Sequence, residues 1–329
     1  MLHWLSKPFA GTFLAALCVV PIASHAAGAE LSLAYTKDLY SSEVIIAQDQ
    51  GFFTKNGVTI TPRIFTSGRL ALDALMAGAV DLSTVAETPI TAAVMAKRPI
   101  AIVARIARTI PLTLVRKDAG INTVADLRGK RIGVNIGSGS EVYTFNLLAS
   151  VGLKPSDVSE VNIGPEDMPG ALASHSVDAI STWQPFISYA QKLGGNKVEL
   201  LPTGDVYSET WNLVTMRKNV QPDDAAITAV VKSLIEAEQF MKTNRDQSLD
   251  ILAKVIGVSR ATIEQSLPKS EFHVVLDASL MSALDGNARW RLATGNVPPN
   301  VTAVPDFDAA LAPHALKSID AARVTIGTL

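Results

Sequence analysis

Three observations in the sequence predict an α/β protein made of two similar units. From residue 31 onward, short apolar runs alternate with helical patterns of about ten residues, which is typical of a parallel sheet with helices on both faces. The chain has 329 residues, 48% of them hydrophobic, which is enough to bury the cores of two ordinary domains. Residues 74–89 and 171–185 also share one plan: a helix, a turn, Val-Asp, a strand with Ser-Thr, and a helix that starts at proline.

The first part of the chain predicts four strands and three helices. The strands are apolar runs at residues 31–34, 58–65, 82–85 and 100–106. The helices have apolar residues at helical spacing and lie at residues 42–50, 69–77 and 89–96. Gly51 and Gly78 end the first two helices, as glycine commonly does.

The next part repeats this alternation and then changes to long helices. Strands are predicted at residues 112–116, 131–135, 158–163 and 179–182, and helices at residues 124–127, 141–151, 168–174 and 185–193. The strand at 112–116 is expected to cross from one lobe to the other. After a further strand at 213–216, helical runs at 223–243, 247–256, 260–267 and 280–294 predict an outer helical layer.

Residues 1–26 predict a secretory signal peptide. A weakly positive start precedes an apolar run at residues 9–22, and cleavage is expected after Ala26 or Ala29. This run of about 14 apolar residues is too short to span a bilayer comfortably. The single cysteine, Cys18, lies inside this segment and follows Leu17, which argues against lipid attachment. We therefore expect a secreted, periplasmic protein whose mature part has no disulfide and no thiol chemistry.

The charge pattern excludes one class of partner. The chain has 29 basic and 31 acidic residues, a net charge of −2, and no long charge run. Neither a nucleic acid nor an acidic surface is therefore predicted as a partner.

Small hydroxyl-bearing residues recur where predicted strands end and helices begin, which is where open α/β sheets bind ligands. Such helix starts offer free backbone N–H groups and the positive end of the helix dipole. If several meet in one cleft, they would hold a small anion without a buried lysine. The alternative is that each residue simply caps its helix. The candidates are Thr36, Tyr40, Ser41, Thr66, Ser67, Gly68, Glu87, Thr88, Ser138, Gly139 and Ser140.

The glycine-serine loop at residues 137–140 favours a ligand of low charge. No Lys-Ser or Lys-Thr follows it, so it is not a Walker phosphate loop, and no third glycine completes a dinucleotide fingerprint. The spacing of Ser138 and Glu141 fits a capping box in which Glu141 accepts from the Ser138 N–H. On the ligand hypothesis, replacing Ser138 and Ser140 together by alanine is expected to weaken binding far more than folding.

Aromatic residues at the strand ends are further candidates. Trp183, with Gln184 before the proline that starts a helix, is placed either to close over a ligand or to pack between helix and sheet. Trp211 is expected where the chain returns to the first lobe, and it too faces either a cleft or the core. Glu87 either receives an ammonium or amide group of the ligand or complements the helix dipole.

The sequence offers no catalytic or metal-binding constellation. His175, His273 and His314 each stand without a second histidine or a cysteine nearby in sequence, and no nucleophile elbow is present. No cofactor, no metal ligand and no catalytic residue is predicted.

Several segments together resemble the periplasmic solute-binding proteins of the nitrate, taurine, aliphatic-sulfonate and thiamine-precursor type. The matching segments are DQGFF (49–53), NGV (56–58), ALMAGAVD (74–81), DLRGKRIGV (126–134), GSG (137–139), GLKP (152–155), SVDA (176–179) and WQPF (183–186). The resemblance covers about residues 30–240 and implies a type II periplasmic binding protein fold. That fold has two α/β lobes, joined by two crossover strands, with the ligand cleft between them.

The resemblance also implies an organisation and a function. Lobe 1 would comprise residues 27–112 and 213–329, lobe 2 residues 113–212, with crossovers near 112–116 and 213–217. The protein would be a monomer that captures a small organic anion, sulfonate-like or related, and delivers it to an ABC permease and its ATPase. Because Gln184 is neutral where relatives often have an acid, an ammonium-bearing ligand such as taurine is put in doubt.

Two alternatives to transport remain at this point. The same fold would serve a sensor that reports its ligand to a membrane receptor. It would also serve an enzyme of the pyrimidine-precursor-synthase type, which the cysteine-free mature chain disfavours because those relatives need a cysteine-rich site.

Overall fold

The computed structural model describes residues 1–2, 29–221 and 224–326, arranged as two β-sheets with helices. The predicted signal peptide lies almost entirely outside these residues. Within the described part of the chain, no helix is both long enough and apolar enough to cross a membrane.

Eleven strands are found in the described residues. They are β1 (Ala29–Thr36), β2 (Val58–Phe65), β3 (Leu82–Ala86), β4 (Ile100–Thr109), β5 (Leu112–Arg116), β6 (Arg131–Val134), β7 (Ser159–Asn162), β8 (Ala179–Thr182), β9 (Val198–Leu200), β10 (Glu209–Met216) and β11 (Glu271–Val275). The predicted bounds of β2, β5 and β8 agree with the structure, whereas β9 and β11 were not predicted.

Twelve α-helices accompany the strands in the same described part. They are α1 (Ser42–Asp49), α2 (Phe52–Lys55), α3 (Gly68–Met76), α4 (Glu87–Met95), α5 (Gly139–Ala149), α6 (Met168–Ala173), α7 (Phe186–Gly194), α8 (Ala225–Thr243), α9 (Arg245–Ile256), α10 (Arg260–Ser266), α11 (Ala278–Thr294) and α12 (His314–Ile319). The short helix predicted at residues 124–127 is a 3₁₀ turn.

The strands form two mixed sheets, each with a set of parallel strands and further antiparallel strands. The six-stranded sheet has the order β11-β4-β10-β3-β1-β2, and the five-stranded sheet has the order β7-β6-β8-β5-β9. Strands β1, β2 and β3 pair in parallel, as do β6, β7 and β8. The antiparallel partners of these sets are β10 and β5, each of which enters its sheet from the other one.

We call the six-stranded sheet with α1–α4 and α8–α12 lobe 1, and the five-stranded sheet with α5–α7 lobe 2. The chain passes from one sheet to the other at residues 110–111 and returns at residues 201–208. Each passage lies just before the strand that was expected to cross between the lobes. Strand β5 therefore lies wholly in lobe 2, and β10 lies wholly in lobe 1. The predicted lobe borders, at residues 112–113 and 212–213, remain a prediction.

The repeat seen in the sequence corresponds to α3–β3–α4 in lobe 1 and α6–β8–α7 in lobe 2. In each copy the aspartate that precedes the strand accepts a hydrogen bond from a backbone N–H of a parallel neighbouring strand, β1 in lobe 1 and β6 in lobe 2. Asp81 Oδ2 lies 2.8 Å from Ser32 N, and Asp178 Oδ2 lies 2.9 Å from Arg131 N. The repeated Val-Asp thus ties β1 to β3 in lobe 1 and β6 to β8 in lobe 2.

Each lobe has its own apolar core. In lobe 1 one continuous core packs the sheet against α1, α8, α9 and α11, so the long C-terminal helices do form a layer on this lobe. In lobe 2 one core lies around Ile132 and Leu147, and another around Ile180 and Ile187. The separate cores leave the facing ends of the two lobes to build a site.

Candidate functional site

The carboxyl ends of β2, β3, β6 and β8 meet between the lobes around a narrow cavity. Residues from both lobes line it, and together they enclose about 10 Å³, room for about one water molecule. Lobe 1 contributes Ser67, Gly68, Arg69, Ala86, Pro89, Glu209 and Trp211, and lobe 2 contributes Ser138 and Trp183. We call this space the interlobe cavity.

The loop after β1 brings buried polar groups towards this region. Thr36, Asp38, Tyr40 and Ser41 are each no more than 5% exposed. The Thr36 hydroxyl lies 3.3 Å from that of Ser41, which in turn lies 3.4 Å from that of Thr84 on β3. These hydroxyls therefore satisfy one another and fix the loop on the sheet, as caps and turns of this kind commonly do.

Two aromatic rings of lobe 1 form one wall. The Tyr40 ring stacks on the Trp211 indole at a centroid distance of 4.8 Å and an interplanar angle of 25°. The indole covers Gly68, where a Cβ atom would lie 2.6 Å from Trp211 Cη2. Glycine is therefore required at this helix start because the tryptophan occupies the space of a side chain.

The glycine-serine loop of lobe 2 is internally hydrogen bonded, and one prediction about it was wrong. Ser138 Oγ donates to Asn135 O at 2.7 Å, and Ser140 Oγ donates to Ser181 O at 2.6 Å. Glu141 Oε2 accepts from the Gly137 N–H at 2.8 Å rather than from the Ser138 N–H, which donates to Asn135 O instead. The Ser138 hydroxyl thus stabilises the loop itself, and the Ser140 hydroxyl ties the start of α5 to β8.

The group that lies against this loop is a carboxylate of lobe 1. A Cβ atom on Gly139 would be 1.8 Å from Glu209 Oε1, so the Glu209 side chain fills the space beside the first residue of α5. The Gly139 N–H and the helix dipole both favour negative charge at this place. Glu209 therefore occupies the position in which the sequence predicted an external anion.

Two carboxylates of lobe 1 are buried without full hydrogen bonding. The Tyr40 hydroxyl faces Glu209 outside hydrogen-bonding geometry, and Glu209 Oε2 has no partner among the described residues. Both Asp38 oxygens lie near Thr36 and the Ser41 backbone but also fall outside that geometry. Burial raises the pKa of Asp38 to about 7. Burial, followed by the charge of Glu87, raises the pKa of Glu209 well above its ordinary value.

Glu87, by contrast, is fully bonded at the start of α4. Its Oε2 accepts from the Thr210 N–H and hydroxyl, both at 2.8 Å, and its Oε1 accepts from the Tyr207 hydroxyl and from Asn287 Nδ2. Thr88 donates to Asn287 Oδ1 at 3.0 Å. Burial raises the pKa of Glu87. The hydrogen bonds from Tyr207 and Thr210 act against this rise because they stabilise the charged carboxylate. Glu87 thereby ties the returning passage between the lobes to α4 and α11.

Trp183 lies across the cavity from the lobe 1 aromatics. It follows β8 of lobe 2, yet it packs against the core of lobe 1 and is 6% exposed. Its indole N–H and that of Trp211 are both buried, and neither has a hydrogen-bond partner in residues 29–221 and 224–326. Gln184 Oε1 instead accepts from the Ser188 N–H and hydroxyl, at 3.1 and 2.7 Å, and so caps α7.

A second cavity adjoins the first beside Tyr40 and Trp183. It has a volume of about 140 Å³ and is also lined by Gln184, Ile110 of the first passage and Thr262 of α10. Trp183 thus lines both spaces between the lobes.

The structure brings together most of the predicted site residues. Tyr40, Ser67, Gly68, Ser138, Gly139, Trp183 and Trp211 lie at or beside the interlobe cavity, Thr36, Ser41, Glu87 and Thr88 lie just behind it, and Gln184 lies at the adjoining space. Thr66 is exposed and lies outside this group. Arg105 forms ion pairs with Glu271 and Asp277.

Glu209 and Asp38 were not predicted. Glu209 had a detectable signal, because residues two apart on a strand face the same side and Trp211 was already a cleft candidate. Asp38 had no detectable signal in the sequence, because a single acidic residue is common in a loop that is rich in helix-capping residues. In the described residues, no group of three His, Cys, Asp or Glu side chains is placed to hold a metal ion.

Comparisons with known proteins connect this geometry to a family. The family model described as NMT1/THI5 like matches residues 39–248. A putative binding protein of Brucella abortus (strain 2308) is 28% identical over 300 residues, covering 87% of this chain and 93% of the relative. The taurine-binding periplasmic protein of Escherichia coli (strain K12) is 26% identical over 259 residues, covering 77% of this chain and 80% of the relative.

A solved structure shows the same fold. The alkanesulfonate-binding protein SsuA from Xanthomonas axonopodis pv. citri, bound to MOPS, superposes with a TM-score of 0.73 at 25% sequence identity. The similarity covers 86% of this chain and 98% of that protein. The two-lobed periplasmic binding protein fold expected from the sequence is thereby confirmed.

Proposed function

The chain belongs to the NMT1/THI5-like family, and we propose that it captures a small organic solute in the periplasm for an ABC import system. Similar proteins are binding components for sulfonates and taurine, and one of them is named as periplasmic. On this proposal the partners are a membrane permease and its ATPase, and the chain is a binding protein rather than an enzyme.

One observation carries the proposal. Residues of both lobes that line the interlobe cavity or stack on its wall have buried polar atoms without protein partners among the described residues, namely Trp183 Nε1 from lobe 2 and Trp211 Nε1, Tyr40 Oη and Glu209 Oε2 from lobe 1. A buried donor or acceptor without a partner costs about 1–3 kcal/mol. A solute that meets several of these groups recovers that energy only when both lobes surround it.

The described contacts fit a closed arrangement of the lobes. Tyr189 of α7 donates to Ile256 O of α9 at 3.2 Å, and Phe145 of α5 packs edge to face on Trp290 of α11 at 6.1 Å. Because the interlobe cavity holds only about 10 Å³, a solute enters only after the lobes have parted. Binding would then favour the closed form through its additional contacts.

Ligand-stripped protein tests this function. We expect at least one compound in a broad panel of small sulfonates, carboxylates, amines and heterocycles to raise the melting temperature. At a concentration of 100 times Kd, the stabilisation is about 2.7 kcal/mol, which corresponds to several degrees.

Two variants locate the binding. Trp183→Phe removes the buried, unpartnered N–H of a residue that lines the cavity and is expected to reduce the shift, whereas Thr66→Ala changes an exposed residue and is expected to keep it. If the stripped protein shows no shift with any compound of the panel, the binding function is rejected.

A further inference from the structure

Three acidic side chains are buried in the interlobe region. Asp38, Glu87 and Glu209 are each no more than 2% exposed. Arg69 also lines the cavity, but its side chain is 43% exposed and its guanidinium lies 3.8 Å from Asp73. In the described residues no lysine or arginine forms an ion pair with any of the three acids.

The place best suited to an anion is already filled. The first turn of α5 presents the Gly139 N–H and the positive end of the helix dipole, and the Glu209 carboxylate lies against it. A second anion at this point would stand beside a carboxylate in a dry site, where like charges repel strongly. The geometry therefore opposes the small anion that the sequence predicted.

A second observation points to a ligand at the same place. The indole N–H groups of Trp183 and Trp211 are buried and lack partners among the described residues, and both side chains line the cavity with Glu209. Aromatic rings beside a carboxylate are the surroundings that attract an organic cation, because ring faces and carboxylate both interact favourably with positive charge.

We propose that Glu209 is a specificity-determining residue that selects a ligand carrying a protonated nitrogen. This proposal rests on the proposed function and names its ligand class. The nitrogen would donate to Glu209, whose Oε2 lacks a partner in the described residues, while an acceptor atom elsewhere in the ligand would meet an indole N–H. A positive charge at this place would also offset the burial and the repulsion from Glu87 that raise the pKa of Glu209.

Matched pairs of probes test the selection directly. Taurine and isethionate differ in one ammonium against one hydroxyl, and benzylamine and benzyl alcohol differ in the same way, with ethanesulfonate as a plain anion. Titration calorimetry and melting shifts are measured on wild-type protein, on Glu209→Gln and on Glu160→Gln. The control, Glu160, lies on β7 and does not line the cavity, so it undergoes the same chemical change elsewhere.

The expected result is a preference of at least tenfold for the amine of a pair in the wild type and in Glu160→Gln. In Glu209→Gln the preference is expected to fall below about threefold, because the amide keeps the shape but loses the charge. Since the wild-type preference is itself a readout, the proposal stays testable if Glu209→Gln fails to fold.

Failure of this proposal differs from failure of the proposed function. If isethionate or ethanesulfonate binds the wild type as tightly as the amines, or if Glu209→Gln keeps the amine preference, Glu209 does not select a cation and the binding function stands. The same conclusion follows if none of these probes binds but a compound of the broader panel that lacks a protonated nitrogen does bind: Glu209 does not select a cation, and the binding function stands. If no compound of the broader panel binds, both proposals are rejected.

Discussion

The loop after β1 and the loop after β6 hold equivalent places, since each follows the central strand of a parallel trio, β3-β1-β2 in lobe 1 and β7-β6-β8 in lobe 2. Both loops combine small polar residues with a helix start. In the β6 loop, the Ser138 and Ser140 hydroxyls donate to backbone carbonyls at 2.7 and 2.6 Å. In the β1 loop, Asp38 and Tyr40 are equally buried, yet Asp38 Oδ1 and Oδ2 and Tyr40 Oη have no hydrogen-bond partner in the described chain.

This difference separates two roles that look alike in sequence. The β6 loop uses its side chains to hold itself together and offers its backbone, at Gly139, to the opposite lobe. The β1 loop places Tyr40 at the cavity beside Trp183 and leaves the polar atoms of Asp38 and Tyr40 without partners among the described residues. A hydroxyl-rich helix start is therefore weak evidence for ligand contact until the partners of its hydroxyls are known.

The largest effect is expected from Gly139→Ala, which alters the backbone contact of the β6 loop. The new Cβ would lie 1.8 Å from Glu209 Oε1, and the carboxylate is too enclosed, at 2% exposure, to move aside while the lobes stay closed. We expect ligand affinity to fall by about 100-fold or more, as for other displacements in a close-packed contact. Isothermal titration with the panel ligand that binds the wild type measures this loss.

A matched glycine controls for the substitution itself. Gly170 lies in α6, and a Cβ there would meet nothing within 4 Å, so Gly170→Ala is expected to bind like the wild type. Wild-type affinity in Gly139→Ala would show that Glu209 moves freely, and the closed contact between the lobes would then have no part in binding.

The next effect concerns the serines, and here the structure reverses the earlier expectation. Because both hydroxyls of Ser138 and Ser140 donate to buried carbonyls, the double alanine variant is expected to lose about 3 kcal/mol of unfolding free energy. Urea unfolding measures this loss, and Thr66→Ala, an exposed hydroxyl, is expected to stay within about 0.5 kcal/mol of the wild type. A large loss of affinity with unchanged stability would restore the ligand role of these serines.

The sequence predicted those parts of the molecule that depend on local pattern. Alternating apolar runs located β2, β5 and β8, and the Val-Asp repeat identified the duplicated unit, because each Asp bonds within its own lobe. The edge strands β9 and β11 escaped prediction, since they are short and are held by antiparallel pairing to β5 and β4. Pairing between distant segments has no local signature.

The site was predicted as a location more successfully than as a chemistry. Loop positions placed most of the named residues at the meeting of the lobes, but the groups that set its charge come from far apart in the chain. Glu87 is bonded to Tyr207 and Asn287, about 120 and 200 residues away in sequence, and Glu209 meets Gly139 across the two lobes. Only the folded chain shows that the helix start predicted to bind an external anion is occupied by the Glu209 carboxylate of the protein itself.

The smallest effect is expected from Asp38→Asn, which tests the unsatisfied acid of the β1 loop. Burial raises the pKa of Asp38 from 3.8 to about 7, so between these values the folded protein holds a proton that the unfolded chain has released. The folded state then binds more protons, and stability must fall as the pH rises through this window and level off above it. This one group accounts for about 2 kcal/mol between pH 5 and pH 7.

Between pH 5 and pH 7, the melting temperature of Asp38→Asn should therefore decline less steeply than that of the wild type. Some decline is expected to remain, because burial also raises the pKa of Glu87 and of Glu209, and both contribute with the same sign. Asp73→Asn, which changes a side chain that is 51% exposed, is expected to keep the wild-type slope. Equal slopes in wild type and Asp38→Asn would mean that Asp38 is ionised in the fold at neutral pH with a partner of its own, and the contrast between the two loops would disappear.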